Sequence, residues 1–484
     1  MMKKQKSDSV VGGVAWKFGE RILSQGVAFI VSLILARLLA PADYGTIALV
    51  LVFINIADVF VVSGFATSLI QKKDADDLDF STMFYCSVVC TALIYVVLYF
   101  CAPLIANFYS NRSLVKIVRV FALRIPLSAY FSIQTAYISR NMLFRKSFFS
   151  SLTAQIIAGG TGIVMAIKGF GVWALIAQYF ANTLVSSLVL MFVISWRPKL
   201  LFSWERAKSL MRFGSKILLA DLSGTFFNEL RSLLIGRSYT EADLAYYNKG
   251  QQLPHLISNN LNTTIMSVLF PALANEADDI QRVKSMTRRG ISCLCYILMP
   301  VMFGMAAVMQ PTIRILYTSK WDVSIFFGQI FCISSAISFI GVVSLQVLKA
   351  LGYGGSVLKL ELYKKPVYLL LLIIGMKINV PAIALTLLVY DCYSTSVNLY
   401  QLCRKINYRP KEIICDIFPS TLLAGIMALA VLQIRIGNNE ILTLIVGICV
   451  GAAIYCIGSI LFRIKSFIYL LNMCKDFLSK KKKA

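Results

Sequence analysis

The chain has 484 residues, of which 58% are hydrophobic and only 15% charged, and its mean hydropathy is +0.73. A soluble domain is roughly half apolar and a quarter charged, so a soluble enzyme, a disordered chain and a fibre are excluded. Lys and Arg outnumber Asp and Glu by 48 to 23. In so apolar a chain that excess points to cytoplasmic loops, which collect basic residues, rather than to nucleic acid.

Taken in chain order, the basic start MMKKQKSDSVVGGVAW reads as the lead-in to a first span, since no cleavage site follows a short apolar region. A membrane-crossing helix needs about 20 mainly apolar residues. Suitable segments occur at 14–39, 44–70, 81–106, 115–138, 147–167, 172–195, 209–236, 285–309, 325–348, 358–376, 380–403, 413–434 and 440–462. The segment 244–272 is long enough to cross but polar. Both ends are basic, with Lys3, Lys4 and Lys6 at one and Lys480, Lys481, Lys482 and Lys483 at the other. Two cytoplasmic ends require an even number of spans, so 244–272 is expected to cross, giving fourteen.

Charge tests that topology. The windows 1–10, 71–80, 139–147, 196–212, 272–289, 351–360, 404–412 and 463–484 hold 29 Lys and Arg, whereas the opposite loops hold 8 and the helices 11. The bias alternates in the sense expected for cytoplasmic loops. The opposite loops are too short for a large outer domain, which counts against membrane enzymes built on one.

The chain repeats itself. WKFGERIL at 16–23 matches MRFGSKIL at 211–218, LARLLAPADYG at 35–45 matches LIGRSYTEADLAY at 234–246, and SIQTAYIS at 132–139 faces SLQVLKAL at 344–351. Three matches in one order imply a duplicated six-helix unit, an arrangement typical of transporters. The expected architecture is an all-α polytopic membrane protein with lobes at 1–196 and 197–404. Two appended helices and a basic tail follow at 405–484.

The FG-x-[RK]-IL openings of spans 1 and 7, the ARLLAPADYG turn, and NKGQQLP with FPAL in span 8 resemble polysaccharide flippases. These belong to the multidrug/oligosaccharidyl-lipid/polysaccharide exporter superfamily, in its exopolysaccharide and O-antigen branch. The resemblance covers essentially the whole chain. It implies fourteen helices in two lobes around a central, often cationic cavity, in the bacterial inner membrane. It also implies a substrate, undecaprenyl-diphosphate-linked oligosaccharide, moved from the inner to the outer leaflet by alternating access. Polysaccharide polymerase or chain-length proteins are the partners it suggests beyond membrane lipids.

Charged side chains deep in a bilayer are costly unless they face water or a partner. Lys17, Arg21, Gln25, Ala28 and Ser32 share one face of span 1. Span 7 carries Lys216, Ala220, Ser223 and Arg231, span 4 Arg124, and span 8 Lys249 with Gln251, Gln252, Asn259 and Asn260. Arg21, Arg124, Lys216, Arg231 and Lys249 are the candidate substrate-binding cations, because Arg and Lys suit a diphosphate while amides suit sugar hydroxyls. Lys17, Arg37 and Arg237 lie near span ends and are expected to snorkel to the headgroups, and Lys349 marks a helix end.

Asp58, Asp221, Glu229 and Asp391 are candidate carriers of H+ or Na+. Each is equally readable as a structural partner of a nearby cation, and Asp221 and Glu229 could simply neutralise Arg231. His255, the single histidine, reads as a satisfied polar residue. With no CxxC pair and most of the twelve cysteines, such as Cys86, Cys90 and Cys332, inside apolar runs, no metal site is expected, and no cofactor. GGTG at 159–162 lies mid-span and lacks the phosphate-loop ending, so its glycines read as helix-packing positions. No nucleophile elbow, HExxH or nucleotide fingerprint is present, so a non-enzymatic transporter is expected. The rival readings are a peptidoglycan lipid-precursor flippase, a cation-coupled multidrug exporter, and a polymerase or ligase acting on the same lipid carrier.

Overall fold

The computed structural model describes residues 2–72, 74–276, 278–434, 436–437 and 439–472, and among them there is no strand. The protein is an all-α polytopic membrane protein. The first helices are α1 (Met2–Leu38), α2 (Pro41–Val59), a π-helical stretch (Phe60–Ala66), α3 (Thr67–Gln71) and α4 (Asp77–Phe108). Then come α5 (Leu114–Ala122), α6 (Arg124–Arg140), α7 (Phe144–Ile167), α8 (Val172–Val193), α9 (Trp204–Ser238) and α10 (Glu241–Asn275). The remainder is α11 (Ile280–Ala307), α12 (Met309–Tyr317), α13 (Val323–Ala350), α14 (Gly354–Met376), α15 (Val380–Ile406), α16 (Pro410–Leu432) and α17 (Glu440–Leu461).

Among the described residues, ten helices are long and apolar enough to cross a membrane. Helices α9, α10 and α14 fall short because they carry polar and charged groups inside, such as Glu229 and Arg231, or Glu361 and Lys364. Leu123 breaks the segment expected at 115–138 into α5 and α6. Along α4, Leu93, Val97, Phe100 and Leu104 point outward and are exposed. Such an apolar exterior is what lipid requires, with the backbone groups satisfied inside each helix.

The chain divides into two compact units, Met1–Ala245 and Tyr246–Ala484. In the first, α1 packs on α7 and α7 on α8. Glycines of the GGTG run make the approach possible: a Cβ at Gly159 would meet Val31 at 2.4 Å, and one at Gly162 would meet Gln178 at 3.0 Å. Helix α9 lies against α2 and the π-helical stretch. A Cβ at Gly214 would sit 2.1 Å from the Gly64 carbonyl oxygen, and one at Gly45 would sit 1.8 Å from that of Glu241. So α9, which opens the second repeat in sequence, packs within the first unit. A hydrophobic cluster of Phe65, Leu69, Phe80, Met83 and Ile133 surrounds Trp196, whose ring lies 5.6 Å from Phe80.

In the second unit α15 packs on α13 and α14, and α11 packs on α13 and α16, which carries α17. Helix starts are fixed by side chains that satisfy orphan backbone N–H groups: Asp279 for α11, Asn379 for α15 and Asn439 for α17. At its C-terminus α15 closes on Asn407 in the left-handed region (φ 51°), a conformation asparagine tolerates.

Candidate functional site

Helix α2 organises the charged groups of the first unit. Asp58 lies two residues before the π-helical stretch, a local widening common at functional positions. Arg124 starts α6 just past the Leu123 break, and its guanidinium donates to Asp58. The same guanidinium lies 5.7 Å from the Phe121 ring and 5.9 Å from that of Tyr179. The cation and the acid singled out separately in the sequence are therefore partners, 15% and 24% exposed. Asn55, one turn earlier on the same face of α2, donates to Glu229 of α9 at 2.9 Å. Through Asn55 and Asp58, α2 thus links α9 to α6. Nearer its start, Thr46 donates to Glu241 at 2.6 Å, and Asn111 also donates to Glu241.

Arg231 lies half-buried two residues beyond Glu229 on α9, whereas Asp221 is exposed. The side chain of Lys216 lies outside the described residues. Arg21 is half-buried on α1. Its neighbour Glu20, not singled out in the sequence, is buried and accepts from Lys17 at 3.0 Å, Ser147 at 2.9 Å and Ser151 at 2.7 Å. Lys17 is therefore neutralised locally. The spacing of Lys17 and Glu20 is that of helical neighbours, a signal that could have exposed the pair.

Before α4 and at the start of α9, a second charged cluster ties loop to helix. Asp79 is fully buried; Lys72 reaches it at 2.7 Å and Arg206 at 3.2 Å. Asp76 caps α4 and accepts from Arg206 at 2.8 Å. The backbone hydrogen bond at Asp79, helped by Arg206, holds the Asp76 carboxyl below the usual range.

The second unit treats its charges differently. Lys249 is 5% exposed, with its ammonium 4.6 Å from the Tyr317 ring and 5.5 Å from that of Trp321, a cation–π cage. Asp391 of α15 accepts from Ser334 of α13. A further buried cation, Lys364 of α14, is 2% exposed and donates to Glu361 at 2.6 Å and Asn398 at 3.1 Å. Asn398 in turn donates to the Gly341 carbonyl at 3.3 Å. Again the helical spacing of Glu361 and Lys364 was the available signal. Among the described residues no cluster of three or more His, Cys, Asp or Glu could hold a metal ion.

Buried cations with fixed carboxylate or aromatic partners, and polar seams joining helices, suit binding and movement of a charged, hydroxyl-rich solute. Comparison with known proteins bears on which solute. The family described as "Polysaccharide biosynthesis protein" matches residues 34–326. The chain is 23% identical to the succinoglycan biosynthesis transport protein ExoT of Rhizobium meliloti, over 65% of this chain and 63% of that protein. It is 22% identical to the lipopolysaccharide biosynthesis protein WzxC of Escherichia coli, over 69% of this chain and 68% of that protein. The matched regions thus span 63% and 68% of those relatives' lengths. Among solved structures, the lipid II flippase MurJ in an inward closed conformation superposes with a TM-score of 0.74 at 16% identity. That match covers 94% of this chain and 99% of that one, and shows a shared fold.

Proposed function

Because the chain belongs to the polysaccharide biosynthesis protein family, matched across residues 34–326, we propose that it is a flippase for lipid-linked oligosaccharide. It carries undecaprenyl-diphosphate-linked repeat units from the cytoplasmic to the outer leaflet of a bacterial inner membrane by alternating access, supplying surface polysaccharide. The family match is the observation that carries this reading. The names of the relatives, a succinoglycan transport protein and a lipopolysaccharide biosynthesis protein, support it. The protein acts as a carrier rather than a catalyst.

In this reading the chain crosses fourteen times with both ends in the cytoplasm. The repeats at 1–196 and 197–404 form two lobes, with 405–484 appended. Arg21 and Arg231, with Lys216 and Lys249, attract the diphosphate, whose oxygens suit guanidinium and ammonium donors. Arg124 contributes through its pairing with Asp58, so protonation or ion binding at Asp58 would release it. Asp221, Glu229 and Asp391 are the further carboxylates for coupling to H+ or Na+, and a polymerase takes up the product outside.

Deleting the protein and sorting lipid-linked oligosaccharide by leaflet tests the whole reading. Complete repeat units should accumulate on the cytoplasmic face. An unchanged pool would refute it, and lysis without loss of surface polysaccharide would redirect it to a peptidoglycan precursor. Arg21→Ala and Arg231→Ala should each abolish surface polysaccharide at unchanged protein level. Normal polysaccharide from both would remove these residues from the binding role.

A further inference from the structure

The N-terminal halves of α11 and α16 and the chain just past α17 line one cavity of the second unit. There the chain continues past α17 through 463–466 and borders this half-open cavity of about 700 Å3. Four basic side chains, Arg288, Arg289, Arg463 and Lys465, line it against one carboxylate, Asp416. That carboxylate is already engaged: Arg288 donates to it at 2.7 and 3.0 Å and to Glu412 at 2.8 Å. The Ser292 and Ser466 hydroxyls, 2.6 Å apart, close part of the wall. Arg289 lies 5.9 Å from the Tyr469 ring. Among the described residues no carboxylate forms an ion pair with Arg289, Arg463 or Lys465.

The backbone around Arg463 sharpens the point. The Ile464 N–H donates to the Ser459 carbonyl at 3.1 Å and Arg463 has φ 46°, the helix-ending geometry in which glycine is usual. An arginine stands there against its own conformational preference, and its side chain faces this cavity. Immediately beside it, Leu461 and Phe462, at the end of an apolar helix, are 74% and 67% exposed. Three cations that pair with no carboxylate among the described residues, beside exposed hydrocarbon, call for a ligand that is anionic at one end and apolar at the other. Basic pockets between membrane helices hold lipid headgroups in this way.

We propose that this cavity binds the phosphate of an anionic membrane phospholipid. Arg289, Arg463 and Lys465 contact the phosphate, Arg288 is held in place by Asp416, and the acyl chains lie along Leu461 and Phe462. The site is separate from the intramembrane charges described above, and the proposal does not depend on the transport reading.

The test uses the full-length protein in a neutral detergent, titrated with phosphatidylglycerol and, separately, with phosphatidylcholine of the same acyl chains. Retained lipid is counted by native mass spectrometry. One phosphatidylglycerol should be retained in preference to phosphatidylcholine, and R289A/R463A/K465A should weaken that retention by about tenfold or more. A second variant, R463G, places glycine where the backbone already suits it, so misfolding cannot account for its several-fold loss. Equal retention of phosphatidylcholine, or unchanged retention by both variants, overturns the proposal. So does displacement of phosphatidylglycerol by an equimolar amount of soluble glycerol 3-phosphate, which would assign the cavity to a free phosphate instead.

Discussion

A partly buried ion pair is worth little as an addition but much when only half of it is removed. Arg124 and Asp58 are such a pair, so Asp58→Asn should lower stability by about 2 kcal/mol while Asp58→Asn with Arg124→Gln recovers most of it. Thermal unfolding in detergent reads both; an additive double variant would mean the two groups do not depend on each other. A second residue-level expectation concerns pH. The Asp76 carboxyl sits below its unfolded value, so it adds stability above that value and loses the contribution as pH falls through the folded one. The melting temperature should therefore drop as pH falls below about 4, and Asp76→Asn should show a shallower drop. The sequence showed which groups are charged, but not that Arg124 meets Asp58. Sixty-six positions separate them, and the meeting depends on how α6 is placed against α2.

Among the elements, the two halves of the repeat are unequal. Gly19 and Gly214 occupy matching places in WKFGERIL and MRFGSKIL, yet a Cβ at Gly19 would meet nothing within 4 Å while one at Gly214 would strike the Gly64 backbone. Gly214→Ala should therefore destabilise by about 1–3 kcal/mol through overpacking. Gly19→Ala should be neutral or gain up to about 1 kcal/mol from helix propensity. Equal melting temperatures for the two variants would contradict the close approach of α9 to the π-helical stretch. The repeat made α9 recognisable in the sequence despite its charges. The π-helical stretch at Phe60–Ala66 and the break at Leu123 escaped, because the apolar runs 44–70 and 115–138 continue through both and packing sets where they fall.

For the molecule as a whole, the alternation of basic windows was legible from the sequence because it is a property of the entire chain rather than of any contact. Apolar length identified the membrane class and most of the helices. It set only 244–272 apart as polar and read 209–236 and 358–376 as ordinary spans, yet α9, α10 and α14 all fall outside the ten apolar helices, since helices whose polar groups are satisfied inside protein do not look like lipid-facing ones. The proposed fourteen-span topology predicts that a fluorescent protein fused after Ala484 emits while alkaline phosphatase fused there is inactive, the pattern of a cytoplasmic end. The reverse pattern would require an odd number of crossings.

The left-handed turn at Arg463 sets two selections against each other. Replacing arginine by glycine there removes a conformational penalty of about 1 kcal/mol, so a screen for heat resistance would favour that change. The same change would strip a cation from the cavity wall. Variants of this protein evolved for ruggedness in detergent would thus drift toward a form deaf to its own bilayer, and natural retention of the arginine would measure what contact with the membrane is worth to the cell.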